Sequence, residues 1–579
     1  MTKPLSEYTR EELIELVKCQ KNTIQQTKKF GLVWEDKPEK VATDCEKKLP
    51  VIKEVPDKAI DMAGDGEPTN IIIEGDNYHA LSALNYTHAG KIDVIYIDPP
   101  YNTGNKDWRY NNDYVDIEDP FRHTKWISMM AKRLELAKNL LSEKGIIICA
   151  IDHYELFYLG ALMDQVFDEE NRLGVVAVVH KSEGRNQEKF FGTSHEYALF
   201  YANDKKKASF QKVALADDVL ESFNRKDDNG LYRLNNYLRS GGGDHNLRIN
   251  KPHFFYPIFV STDGTDISLN EKDGYEKILP ITEKGQERTW KTKSDTFLQR
   301  LSQGLIVAER DKNGKMQVYE KYYENQVIKT HWVDPKYHAI HYGTKIVDSI
   351  IGKEQFNFPK SLYLIKDIVK LTASKDSTIL DFFAGSGTTG HAVMELNKED
   401  GGHRQFILCT NNENKIAEEV TYPRIKGVID GYGIGDKHVD GIPANIRYFK
   451  TDFVDKNDTM DKLRRELCPA CEDMIRVREG AFEKVVDEDM LKVYRNSRGL
   501  TAIIYDRFEL AQYIEEIERI ETDTPIHLYV FSYSKSNRFD EMPANFKHKY
   551  ESQPIPDGVL EIYKKIFANA KGGNKQCSI

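Results

Sequence analysis

A carboxylate, two prolines and a tyrosine follow one another at Asp98-Pro99-Pro100-Tyr101, directly after the run Asp93-Val94-Ile95-Tyr96-Ile97. Such a run, rich in β-branched residues, reads as a buried parallel strand. The prolines forbid both a continued ladder and the start of a helix. Asp98 and Tyr101 are therefore held on a stiff turn at the carboxyl end of a strand, where open α/β sheets bind ligands. On its own, Asp-Pro-Pro would describe a surface turn equally well. A second loop is more explicit. Thr378-Ile-Leu-Asp381 leads into Phe382-Phe383-Ala384-Gly385-Ser386-Gly387-Thr388-Thr389-Gly390, a G-x-G-x-x-G between a strand and a helix. Glycines at these positions let backbone amides approach a nucleoside cofactor, and Glu413, at the end of the next strand, is placed for ribose hydroxyls. This pattern alone fits an NAD enzyme as well as any other nucleoside-cofactor enzyme, or a plain tight turn. It is not a P-loop, because His391 stands where a phosphate-binding lysine is required.

The elements that must position these loops alternate. Ile71-Ile-Ile73 ends in the acidic turn Glu74-Gly75-Asp76, and helix-like Tyr78–Tyr86 follows. After the Asp98 loop come a helix over Trp126–Leu141 and strands at Gly145–Ile151, Val175–Val179 and His195–Tyr201. Strands alternating with helices predict a doubly wound sheet. Residues 205–345 break the rhythm with Asn, Asp, glycines and aromatics, and their strands are expected to be short and antiparallel. The sheet pattern resumes in 346–452. Ahead of all this, Thr9-x-x-Glu12 has capping-box spacing and opens a striped helix of Leu13, Leu16, Val17, Gln20 and Ile24. The expected division is a helical arm at 1–35, a polar linker at 36–69 with Pro50, Pro56 and Pro68, and one half of the α/β domain at 70–204. An insert at 205–345, the other half at 346–452 and a small α/β interaction domain at 453–579 complete it.

Taken together, the two loops resemble those of DNA amino-methyltransferases. Asp98-Pro-Pro-Tyr101-Asn-Thr-Gly104 is similar to their catalytic loop, and Asp381 through Gly390 is similar to their S-adenosylmethionine loop. The catalytic strand precedes the cofactor strand, with an insert between, as in the permuted β group. Tyr96-Ile-Asp98-Pro-Pro-Tyr-Asn-Thr-Gly104, Lys251-Pro-His-Phe-Phe-Tyr-Pro-Ile258 and Phe358-Pro-Lys360-Ser-Leu362 resemble the modification (Mod) subunits of type III restriction–modification systems. The resemblance implies a Rossmann-like, circularly permuted methyltransferase sheet with an inserted target-recognition domain. It also implies S-adenosylmethionine as cofactor and adenine as the target, since cytosine enzymes usually carry Ser in place of Asp98. Asp98 and the Pro99 carbonyl would accept the two amino hydrogens, Pro100 would stiffen the turn, and Tyr101 would stack on a base flipped out of the duplex. Cofactor contacts would fall on Asp381 to Thr389 and on Glu413, with Lys360 at the cofactor carboxylate and Asp76 on the adenosine side. An N4-cytosine methyltransferase, or a non-enzymatic DNA-binding regulator on the same fold, remain as alternatives.

Composition bounds the partners. The 579 residues exceed what one core holds. No apolar run approaches the ~18 residues of a membrane span, and the start lacks the core of a signal peptide. Seven scattered cysteines favour reduced thiols and a cytoplasmic setting. Cys468-Pro-Ala-Cys471 lacks a second pair, so no metal is expected. The net charge is −10, yet residues 205–340 carry more Lys and Arg than Asp and Glu, which suits double-stranded DNA as well as a chance fluctuation. The resemblance to Mod subunits implies a homodimer. In the absence of a Walker A sequence or a nuclease constellation, any restriction (helicase/nuclease) activity would belong to a separate subunit.

Overall fold

The computed structural model describes residue 32 and residues 34–571, except 65, 182–183, 185–189, 212–221, 240–242, 324–327, 434, 436–437, 457–458, 497–498, 507, 521–524 and 533–549. The helix expected near the N-terminus lies outside these residues. Two compact units separate: 1–211 with 329–579, and 212–328.

In chain order, the first unit contains β1 (Lys48–Glu54), β2 (Thr69–Glu74), α1 (Asn77–Thr87), β3 (Ile92–Ile97) and the hairpin β4 (Asn105–Tyr110)–β5 (Asp113–Asp116). It continues with α2 (Arg122–Leu140), β6 (Leu141–Ile151), α3 (Leu156–Phe167), β7 (Arg172–Val179) and β8 (His195–Ala202). After the second unit come β9 (His331–Trp332), α4 (Leu362–Thr372), β10 (Thr378–Asp381), α5 (Thr388–Asp400), β11 (Gln405–Thr410), α6 (Tyr422–Asp430) and β12 (Asn445–Asp455). The strands run in the order β1-β12-β2-β11-β10-β3-β6-β8-β7-β9. From β12 to β6 all neighbours are parallel. Their apolar runs are continuous because helices cover both faces. Ile71, Ile73, Ile95 and Ile97 share a core with α1, α2 and α3. Ile72, Val94 and Tyr96 alternate to the opposite face and are equally buried. On the α4–α6 side, α5 packs on β11 and against α4.

The two loops become neighbours through β3 and β10. They pair in parallel, Ile379 opposite Val94 and Leu380 opposite Ile95, although nearly half of the chain lies between them.

Two boundaries differ from expectation. Residues 36–69 are not a linker. Within them β1 pairs antiparallel with β12 along its length, and Leu49, Val51 and Ile52 are buried. Only a short apolar run interrupted by Pro50 signals this strand, and proline is tolerated there because β1 is a sheet edge. The 453–579 segment is not a separate body either. It forms a five-stranded sheet with a parallel pair at 499–504 and 526–531. Leu463, Met474, Ile475, Tyr529 and Tyr563 nevertheless belong to the same core as α1, and the Tyr563 hydroxyl donates to the Pro50 carbonyl.

The second unit, described by itself, consists of short antiparallel strands in small sheets. Tyr237, Trp290 and Phe297 fill its core. It is narrower than the 205–345 insert, because His331–Trp332 already pairs with β7 in the first unit.

Candidate active site

The Asp98 turn is fastened from three sides. Trp126 Nε1 on α2 donates to the Pro100 carbonyl at 2.7 Å. Asn102 adopts φ 58° and is fully buried; its Oδ1 accepts from Trp108 Nε1 at 2.9 Å, and its Nδ2 donates to Glu155. Tyr101 Oη donates to Glu196 Oε2, on β8, at 2.8 Å. Lys360 Nζ lies 3.0 Å from Asp98 Oδ1 and 2.8 Å from Glu196 Oε2, and also donates to Tyr101 Oη. Burial pushes the Asp98 carboxyl up, Lys360 pulls it back and Glu196 pushes it up again, leaving it above the usual range.

Glu155 sits just ahead of α3 with its side chain buried, and its Oε1 is 2.6 Å from His123 Nδ1. Burial, only partly offset by the Asn102 amide, pushes its carboxyl up to about 8. A folded chain that keeps this proton while the unfolded chain releases it near pH 4.5 loses stability as pH rises from about 5 to 8. Glu155→Gln keeps an acceptor for Asn102 and His123 but cannot titrate. Its denaturant-unfolding free energy should therefore vary less with pH across that window than the wild type's, and parallel curves would refute the assignment.

Across the sheet, Asp381 folds the glycine loop onto itself. Its carboxylate accepts from Thr389 Oγ1 at 2.6 Å and from the Phe383 amide at 3.0 Å, and burial pushes it up to about 7. Gly385 and Gly387 have φ of +48° and +78°, the left-handed region that favours glycine. A Cβ on Gly390 would stand 2.8 Å from Ile425 Cδ1 and 3.1 Å from Leu408 Cδ1, so the third glycine permits α5 to close on α6 and β11. Arg424 on α6 is fully buried and donates to Ser386 Oγ at 2.9 Å and Thr388 Oγ1 at 2.7 Å. Thr421 Oγ1 donates to the Gly385 carbonyl at 2.6 Å.

Between the loops opens a cavity of about 660 Å³, within the range of small-molecule sites. Of the residues singled out by sequence, Asp98, Pro100, Asp76, Phe382, Phe383, Gly385 and Glu413 line it. Asp381, Ala384, Ser386, Gly387, Thr388 and Thr389 do not. Asp381, Ser386, Thr388 and Thr389 brace the loop through the bonds just described. Pro99 and Tyr101 are also absent from the lining. Lys360 is not among the residues lining the cavity; its ammonium lies against Asp98, which does line it. Asp76 caps α1, accepting from the Tyr78 amide at 2.8 Å, and pairs with Arg133 at 3.1 Å. Glu413 pairs with Arg109 of the β4–β5 hairpin at 2.9 Å. Sequence reading missed Glu196, Glu155, Arg133 and Arg424. A lone Glu in the apolar run of β8 was the available signal for the first, while Arg424 has no local signature.

The DNA methylase model of the N6/N4 methyltransferases matches residues 92–421, which include both loops and the second unit. The chain belongs to this family. The methylase is 34% identical over 361 residues to the type II methyltransferase M.KpnI of Klebsiella pneumoniae, covering 62% of this chain and 84% of the relative. It is 31% identical to the type III EcoPI Mod subunit of Escherichia phage P1 (59% of this chain, 58% of the relative). To the StyLTI Mod subunit of Salmonella typhimurium it is 30% identical (63% and 56%). The chain thus spans little more than half of these Mod relatives.

S-adenosylmethionine is the methyl donor of this family, and the residues present fit it. The glycine backbone at Gly385 faces the Phe356 ring closely enough that a Cβ would stand 3.3 Å from it. Phe382 and Phe383 add apolar wall, and the Glu413 carboxylate borders the same space, suited to vicinal hydroxyls. Among the described residues no cluster of metal ligands occurs, and no helix is long and apolar enough to cross a membrane.

Proposed function

We propose that this DNA methylase methylates the N6 amino group of an adenine flipped out of double-stranded DNA, at a specific sequence, as the modification subunit of a restriction–modification system. The observation that carries this reading is the carboxylate of Asp98 at the edge of the glycine-loop cavity, on a turn pinned by Trp126 and Asn102.

An adenine amino nitrogen is a poor nucleophile because its lone pair is delocalised into the ring. Asp98 accepts one amino hydrogen and the Pro99 carbonyl the other, which favours a pyramidal nitrogen with its lone pair free for in-line attack. The stabilisation comes from orientation and electrostatics rather than from a dedicated base. When bound, S-adenosylmethionine supplies an electrophilic methyl carbon and departs as a neutral thioether. The proton shed by the methylated nitrogen leaves along its hydrogen bond to Asp98. Tyr101 stacks on the flipped base for roughly 1–3 kcal/mol, against an unstacking cost of a few kcal/mol. Its hydroxyl bond to Glu196 fixes the ring.

Target choice falls to the net-basic 205–345 insert, whose compact part is 212–328. Lys205, Lys206, Lys207, Arg233, Arg239, Arg248 and Lys251 there are suited to phosphates, and Asn235, Asn236, Asn246 and Asn250 to base edges. Kinship with Mod subunits favours a homodimer in the cytoplasm serving a separate restriction subunit. Enzymatic digestion to nucleosides of DNA from cells expressing the protein tests the reading. N6-methyladenine confined to one sequence context is expected. N4-methylcytosine instead would overturn the choice of base, and unmodified DNA the choice of an enzyme over a regulator.

A further inference from the structure

Lys360 bridges two carboxylates at the proposed base site, and one of them, Glu196, has so far served only as the acceptor that fixes the Tyr101 ring. The ammonium comes from the residue before Ser361, the N-cap of α4. It spans from Asp98 on the β3 turn to Glu196 on β8, and it donates to Tyr101 Oη while standing 4.7 Å from that ring's centre. Tyr101 in turn donates to the same Glu196 oxygen. Two hydrogen bonds of the lysine, to Glu196 and Tyr101, and its ion pair with Asp98 thus all engage the catalytic loop and its support. The lysine and Glu196 side chains are only 13% and 8% exposed, so water screens these charges little.

Resting on the proposed function, we propose that Lys360 and Glu196 are positioning residues of the target-base site: Lys360 holds Asp98 ionised, Glu196 holds Lys360 and Tyr101 in place, and Lys360 takes no part in binding the cofactor. An ionised Asp98 can only accept hydrogen bonds, as the amino group requires, whereas a protonated carboxyl presents a donor of its own. Among the described residues, the other groups around it do not supply the needed positive charge. Tyr96 on β3 and Tyr101 are held neutral by burial, their hydroxyls pushed well above the usual range. Asp381, at the end of neighbouring β10, can add only negative charge. His180, after β7, acts on Glu196, which burial would raise but which Lys360 and His180 bring below the usual range. Burial works against the Lys360 charge too, yet Asp98 and Glu196 together raise its pKa. Lys360 is therefore the cation on which Asp98 depends.

The signs of the consequences differ between the two residues. Methyl transfer requires ionised Asp98, so the single-turnover rate falls as pH drops through its apparent pKa. Lys360→Met removes the cation and should move this acid limb up by about 1–3 pH units. Glu196→Gln removes a negative neighbour and should move it down. Lys360→Arg keeps the charge and should leave the limb close to the wild-type position. S-adenosylhomocysteine affinity, read by calorimetry without turnover, should stay within about 3-fold in Lys360→Met; a lysine gripping the cofactor carboxylate would instead weaken it about 10-fold or more.

Opposite limb shifts with retained affinity support the proposal. A limb unmoved in either variant, moved upward by Glu196→Gln, or accompanied by a tenfold loss of affinity would overturn it. If Lys360→Met fails to fold, the direction of the Glu196→Gln shift decides alone. Wild-type protein that methylates no adenine would refute the underlying function instead, which the nucleoside digest reads separately.

Discussion

Asp98→Ala should lower the single-turnover methyl-transfer rate by at least about 10²–10³-fold, the scale seen when one preorganised hydrogen-bonding group is removed from a reacting centre. The fold has little reason to follow. Asp98 belongs to a turn after β3 whose shape is fixed by Pro99, Pro100, the Trp126 bond to the Pro100 carbonyl and the Asn102 network. Nor does the substitution strand a buried charge, because Lys360 keeps Glu196 at 2.8 Å. Cofactor affinity should also survive within about 3-fold, since the loop that shapes the glycine wall is braced by Asp381, Thr421 and Arg424. Asp98→Asn should be nearly as inactive, because its amide keeps one acceptor oxygen for both Lys360 and the amino group, carries no charge, and turns its NH2 toward one of them. A tritium-transfer assay beside calorimetric titration of S-adenosylhomocysteine checks all of this. Transfer above roughly a tenth of the wild-type rate in Asp98→Ala would remove the carboxylate from the centre of the chemistry.

Both loops were legible in the sequence for the same reason: each is a local conflict between a strongly apolar strand and residues that cannot continue it. Prolines do this after β3, glycines after β10, and the chain has no other way to satisfy them than a turn at a strand end. Legibility ended where a role depends on residues distant in sequence. The position of Lys360 in Phe-Pro-Lys suggests a cofactor contact, whereas the carboxylates its ammonium meets, Asp98 and Glu196, lie on β3's turn and on β8. Asp381 through Thr389 read as cofactor contacts because they are consecutive, but the winding of the loop sends Asp381, Ser386, Thr388 and Thr389 inward to other protein groups. The strand β1 was hidden by its own composition. A short apolar run holding a proline resembles a linker until a neighbour, β12, supplies the pairing. The shared core of 453–579 was hidden by scale, since local periodicity can reveal an apolar helix face but not the α1 surface it meets.

Arg424→Ala should cost about 3–5 kcal/mol in unfolding free energy and weaken S-adenosylhomocysteine binding about 10-fold or more. The residue is among the largest fully buried side chains, so truncation leaves a cavity that α5 and α6 must close or tolerate. It also removes the donors to Ser386 Oγ, Thr388 Oγ1 and, at 3.3 Å, the Ser386 carbonyl. Burial pushes its pKa down to about 10, which still leaves the guanidinium charged at neutral pH. These are therefore charge-assisted bonds, each stronger than a neutral one. Partly offsetting their loss, the alanine chain no longer desolvates a cation. Arg424→Met separates the two effects, because a flexible apolar chain refills much of the volume and donates nothing. Methionine should recover a large part of the stability and little of the affinity, since among the described residues it is Arg424 whose side chain bonds Ser386 and Thr388 from α6. Denaturant unfolding and calorimetric titration of both variants read the two quantities independently. If affinity returns together with stability in Arg424→Met, packing alone shapes the loop, and Asp381 and Thr421 suffice to hold the glycine wall open.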